Sequence, residues 1–131
     1  MKLLLDTHIL LWSLLEPERL ATDVSAELEN PSNELWLSPI STWEIMILAE
    51  RGRIVLDAKP ELWLRDVFEA ISFKEAPLNH EVAIQSRMIG LAQEDPADQF
   101  LVATAIVYDL TLVTADRRII TSQACSIMPH K

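Results

Sequence analysis

Apolar residues fall in short blocks divided by polar punctuation, and the two kinds of block alternate along the chain. Lys2–Leu5, Glu34–Leu37 and Thr111–Thr114 read as short strands, too brief and too continuously apolar for amphipathic helices. A weaker strand is expected over 72–75 and a last one over 126–128. Between them lie helical stretches: Thr7–Leu15, stopped before Pro17; part of a helix over 25–30, ended by Asn30-Pro31-Ser32-Asn33; and one from about 42 to 51, with Gly52 as its stop. Further helices follow over 61–70 behind Pro60, from the cap Asn79 to about Gln93, over 97–108 behind Asp95-Pro96, and over 116–122. No Asn-Gly type hairpin signal occurs. Strand–helix alternation of this kind implies an α/β fold, a parallel sheet with helices on both faces.

Such sheets bind ligands beyond the carboxyl ends of their strands. The position of the acids therefore matters. Asp6 ends the run MKLLLD, and Asp116 follows LTLVTA. Glu44 interrupts the apolar stretch from Trp43 to Leu48, two turns after Ser38 at the end of the second strand. Asp98 opens the run FLVATAIV in the first turn of a helix. A carboxylate beside a core is costly unless it is paired, hydrogen-bonded or bound to a metal. Few bases lie nearby in sequence, so if the fold gathers the four, the natural counter-ion is a hard divalent cation. Each acid also has a structural reading. Asp6 and Asp116 could cap the helices that follow them, Ser41-Thr42-Trp43-Glu44 matches a capping box, and Asp98 suits the positive end of a helix dipole. Asp95 reads as an N-cap alone. Capping does not explain why all four positions at one sheet edge should be acids.

Composition narrows the chemistry. The chain has 131 residues, enough for one domain with a real core. Its two glycines are isolated, which excludes a Gly-rich phosphate loop, and its one cysteine excludes a disulfide framework and a Cys-based zinc site and fits a reducing cytoplasm. Asp6 and His8 break the resemblance of the first residues to a signal peptide, and no apolar stretch reaches membrane-spanning length. Twenty acids against eleven bases give a net charge of −9, unlike a general nucleic-acid coat protein. An enzyme that meets nucleic acid through metal ions and a local basic rim stays open. Arg51, Arg53 and Lys59 on one side and Arg117 and Arg118 on the other are candidates for that rim, and each also reads as solvated surface charge. His8 reads as a surface or packing histidine. Trp36 and Trp43 read as core, Trp12 and Trp63 as faces of amphipathic helices, and Cys125 as a small apolar residue.

The segments LDTHILLW, SPISTWEI, DPADQFLVATA and LTLVTAD, in this order and at these spacings, resemble the PIN-domain ribonucleases, in particular the VapC-like toxins of bacterial toxin–antitoxin modules. The resemblance spans nearly the whole chain and implies a single PIN domain over residues 1–131 with about five parallel strands. It implies that Asp6, Glu44, Asp98 and Asp116 form a catalytic metal site for Mg²⁺ or Mn²⁺, with Thr7 and Thr114 as polar helpers. It further implies endonucleolytic hydrolysis of RNA, inhibition by a cognate antitoxin, homodimerisation and a cytoplasmic location. The sequence departs from the family at Gln99, where an arginine often follows the helix aspartate. Two rivals remain: a catalytically inactive PIN-like protein-binding module, and a receiver-like phosphotransfer domain. The latter wants an adjacent acid pair, whereas Thr7-His8 follows Asp6.

Overall fold

In the computed structural model, which describes residues 1–90 and 95–131, the strands are β1 (Lys2–Leu5), β2 (Glu34–Leu37), β3 (Lys74–Glu75), β4 (Thr111–Thr114) and β5 (Ile127–Pro129). They form one sheet in the order β3-β2-β1-β4-β5, and every pairing is parallel. The helices are α1 (Thr7–Leu15), α2 (Thr22–Glu29), α3 (Pro39–Glu50), α4 (Pro60–Ala70), α5 (His80–Ser86), α6 (Pro96–Val107) and α7 (Arg117–Ser122), with a 3₁₀ turn at Pro17–Arg19. Order in the sheet runs outward from β1, so the chain reverses its direction of travel there, between β1 and β4. A crevice at the carboxyl ends of the strands is expected at such a point.

Alternation along each strand divides the core. Leu3 and Leu5 point to one side, where they pack with Ile9 and Leu10 of α1, Val24 of α2, Ile45 of α3 and Leu64 of α4. Leu4 points to the other, against Leu101, Val102 and Ala105 of α6 and Ile119 of α7. Val113 and Leu112 of β4 split in the same way. Helices therefore cover both faces, as a parallel sheet requires.

Three strands and α1 have the bounds expected from sequence. Other boundaries moved. Helix α3 begins at Pro39, not near 42, because Ser38 is its N-cap: the Ser38 hydroxyl accepts from the Ile40 amide (3.1 Å), and Pro39 takes the first helical position, where no amide donor is needed. Ser41 and Glu44 thus lie inside the helix, and the capping box assigned to them does not form. The far end of α3 follows expectation. Gly52 takes a left-handed conformation (φ 66°), its amide donates to Ala49 O, and the Arg53 amide donates to Leu48 O, a Schellman closure. Helix α2 begins at Thr22 rather than 25, β3 shrinks to Lys74–Glu75, and β5 shifts by one residue. Helix α5 ends at Ser86, short of the expected end, while Gln93 lies outside the described residues. Trp43, expected in the core, is 55% exposed on α3, whereas Trp36 packs under Tyr108 as expected.

Candidate active site

Parallel pairing of β1 with β4 builds the first half of the site. Leu5 stands opposite Val113, and the Asp6 amide donates to Val113 O (3.0 Å), so the next residue on each strand, Asp6 and Thr114, stand side by side. The Thr114 hydroxyl donates to Asp6 Oδ2 at 2.6 Å and accepts from the Asp116 amide at 3.0 Å. Asp6 occupies the N-cap position of α1, yet its side chain makes no capping bond. Its capping explanation fails. Asp116 does cap: Oδ1 accepts from the amides of Arg118 (2.9 Å) and Ile119 (3.4 Å). That carboxylate still faces the same opening as Asp6.

The second half comes from α1 and α3. Ser41 and Glu44, three residues apart, share a helix face. Both meet the buried Thr7 hydroxyl, which lies 2.6 Å from Glu44 Oε1 and 3.0 Å from Ser41 Oγ. Thr7 has one proton, which the shorter contact assigns to Glu44; the Ser41 hydroxyl then donates to Thr7 Oγ1. Helix α6 adds Asp95 and Asp98 from its first turn. The Asp95 side chain accepts from the Ala97 amide (3.0 Å), the capping role expected for it.

A cleft of about 270 Å³ results, lined by Asp6, Glu44, Asp95, Asp98 and Asp116 together with His8, Trp12, Ala115 and Arg118. All four acids singled out from sequence meet there. Asp95 joins them as a fifth, and its signal was legible: it precedes Asp98 by three residues and so shares its side of the turn. Trp12 on the cleft wall, and Ser41 buried behind it against Thr7, carry no signal in the sequence that points to the cleft. Of the candidate basic rim, Arg118 lines the cleft and stands 4.0 Å from Asp116, and Arg53 lines the neighbouring groove. Arg51, Lys59 and Arg117 are exposed and line neither.

The electrostatics are those of crowded anions. Burial raises the Asp6 carboxyl above its ordinary range, against the Thr114 hydrogen bond that favours its charge. Burial likewise raises Glu44, with Asp6 and Asp95 adding repulsion. Asp98 is pushed up to about 7, first by burial and then by Asp95, Asp6, Asp116 and Glu44. It sits where a helix dipole should lower it, so desolvation and repulsion outweigh the dipole here. Among the described residues no three of these side chains stand close enough to enclose an ion directly. The five carboxylates nonetheless make an acidic, oxygen-dominated donor set, with His8 adding an imidazole nitrogen to the lining. That suits a hard cation such as Mg²⁺, which takes few protein carboxylates and keeps several waters.

Away from the cleft, Cys125 is half-buried against the second core, and burial pushes its thiol up to about 11. That burial favours the protonated thiol, the less nucleophilic form. No described helix is long and apolar enough to cross a membrane.

Residues 3–122 match the model of the PIN domain family. The chain is 36% identical over 119 residues to Ribonuclease VapC22 of Mycobacterium tuberculosis, with 88% of each chain covered. In fold it is similar to a chain of VapBC2 from Rickettsia felis, bound to a DNA fragment from its promoter (TM-score 0.74, 15% identity, 100% of both chains). It is also similar to a chain of DNA-bound VapBC from Salmonella typhimurium (TM-score 0.69, 24% identity, 98% of both chains). The chain belongs to the PIN-domain family.

Proposed function

We propose that this PIN-domain protein is a metal-dependent endoribonuclease, the toxin of a toxin–antitoxin pair, and that Asp6, Glu44, Asp98 and Asp116 carry its active site with Mg²⁺ or Mn²⁺. One observation carries the reading: four elements deliver five carboxylates to one cleft, at the cost of raising Asp98 to about 7. A structural cluster gains nothing from that repulsion, whereas a cation site needs the charge. The likeness to a ribonuclease over 88% of the chain supplies the substrate class.

When bound, a divalent cation would offset charge on the scissile phosphate and lower the pKa of an attacking water. The protein's share is placement. Asp6, held by Thr114, and Asp98, on the first turn of α6, would supply the principal ligands. Thr7 holds one oxygen of Glu44, which leaves the other to orient a water. Asp116, tied by its capping bonds, contributes charge from a rigid position. The fold resembles chains of VapBC complexes. The partners that follow are RNA as substrate, a cognate antitoxin as inhibitor and a second copy of the chain in a homodimer, acting in the cytoplasm.

Purified protein incubated with total RNA should cut a subset of species in Mg²⁺ or Mn²⁺ and none in EDTA. Asp6→Asn and Asp98→Asn should each lower the rate by about a hundredfold or more while the fold persists, because a neutral amide cannot replace an anionic ligand. Full activity in either variant, or in EDTA, overturns the proposal. The binding-module rival predicts no cutting under any condition.

A further inference from the structure

Beside the acid cleft runs a second groove of about 340 Å³, between α1, the 3₁₀ turn and the end of α3. His8 and Trp12 line both, so the two openings share a wall. The groove differs in chemistry from the cleft. Its floor is apolar, with Leu11, Leu48 and Ile54, and its charged side chains are Arg19, Arg53 and Glu16. The Arg19 guanidinium stacks on Trp12, 4.3 Å from the ring centroid. It also contacts Glu16 at 3.1 Å, but both side chains are about half exposed (55% and 49%), so this pair is screened and leaves much of the Arg19 charge available. Arg53 is exposed just beyond the Gly52 turn, and among the described residues no carboxylate lies within ion-pair distance of it.

We propose that this groove is the subsite for the unpaired RNA segment flanking the scissile phosphate, with Arg19 and Arg53 binding successive phosphates and the apolar floor receiving a base. The inference rests on the ribonuclease reading above and extends it to where the strand lies. A chain of net charge −9 repels RNA over most of its surface, so the polyanion needs local cations wherever it touches beyond the metal. Of the two openings, this one presents two guanidinium groups, and it adjoins the cleft across His8 and Trp12. The Trp12 ring is already packed by Arg19 and His130, so it is the aliphatic floor of Leu11, Leu48 and Ile54, with guanidinium groups at its edge, that suits a base whose edges and faces are free. Bases in a duplex are stacked inside it, which commits the site to an unpaired strand.

Binding is read apart from cutting by working in an Asp98→Asn background. The probe is a labelled single-stranded oligoribonucleotide of about ten nucleotides, followed by fluorescence anisotropy in Mg²⁺ across a salt titration. Arg53→Gln should weaken binding roughly three- to tenfold at low salt and flatten the dependence of log K on log salt by about 0.7, the signature of one lost phosphate contact. Arg53→Lys should restore the slope. Arg19→Gln should act in the same direction and additively, with melting curves confirming that each variant folds. In otherwise wild-type enzyme, Arg53→Gln should raise KM by a similar factor and move kcat little. Unchanged affinity and slope in the Arg19→Gln/Arg53→Gln double variant overturn the inference. So does a variant that binds RNA normally but loses the antitoxin, which makes the groove a protein-docking surface. If wild-type protein cuts no RNA yet its binding depends on Arg53, the ribonuclease reading fails while the groove stands as a nucleic-acid subsite.

Discussion

Threonine 114 shows how one hydroxyl can organise a charged site. It donates to Asp6 and accepts from the Asp116 amide, so it joins two of the candidate ligands through a single buried atom. Thr114→Val keeps the shape and removes both bonds. A buried carboxylate and a backbone amide then lose partners, which should cost about 1–3 kcal/mol of stability. Asp6, already raised by burial, loses the bond that opposes that rise and should titrate still higher. Urea melts check the first expectation. NMR titration of the Asp6 carboxyl checks the second, and no upward movement there would show that Thr114 only packs. At this scale the sequence was informative about residue type and less so about role. Asp6, Glu44, Asp98 and Asp116 were each visible as acids in apolar surroundings. Which of them also caps a helix was not, because the capping signature depends on side-chain rotamer: Asp116 caps and Asp6 does not, though both precede a helix.

Helices and strands were legible where one signal dominated. Lys2–Leu5, Glu34–Leu37 and Thr111–Thr114 are continuous apolar runs bounded by polar residues, and the structure keeps those limits. Helix α3 starts before the expected position near 42 because serine at the N-cap and proline at the first position form a helix opening. Ser41-Thr42-Trp43-Glu44 then offered a false second start. Apolar neighbours place Trp43 in the core by sequence, but a helix has an outward face even within an apolar run, and Trp43 lies on it. The other end of α3 gives a clean test. A Cβ added at Gly52 would meet nothing within 4 Å, so the cost of Gly52→Ala is conformational alone. With φ at 66°, an alanine should destabilise by about 1 kcal/mol. Chemical denaturation measures it. A neutral or stabilising result would mean that the Schellman closure rearranges when the glycine is lost. Arg53 follows directly, so the same variant also asks whether a loosened turn weakens RNA binding in the groove.

For the molecule as a whole, the crowded acids couple folding, protons and metal. Asp98 is raised from an ordinary carboxyl value near 3.8 to about 7 in the metal-free fold. Between those values the native state holds a proton that the unfolded chain has released. Stability therefore falls as pH rises: the contribution is fully present below the unfolded value and is lost as pH passes through about 7. Asp6 and Glu44, also raised, act in the same direction. Metal-free protein should thus melt at lower temperature at pH 7.5 than at pH 5. A divalent cation should reverse this at neutral pH. It binds only the native cluster, which adds about 2.7 kcal/mol at a hundredfold excess over its dissociation constant, and its affinity should rise with pH because binding displaces the Asp98 proton. Asp98→Asn removes the share of both halves that Asp98 carries and relieves repulsion on its neighbours. It should melt higher than wild type in EDTA at pH 7.5, show a shallower slope between pH 5 and 7.5, and respond less to Mg²⁺ or Mn²⁺. Calorimetry of the two proteins at both pH values, with EDTA and with metal, decides the matter. If Asp98→Asn and wild type show the same pH slope and the same metal shift, the carboxylates do not act as one cation site, and the cleft is a surface concavity in which Asp95 and Asp116 serve as helix caps.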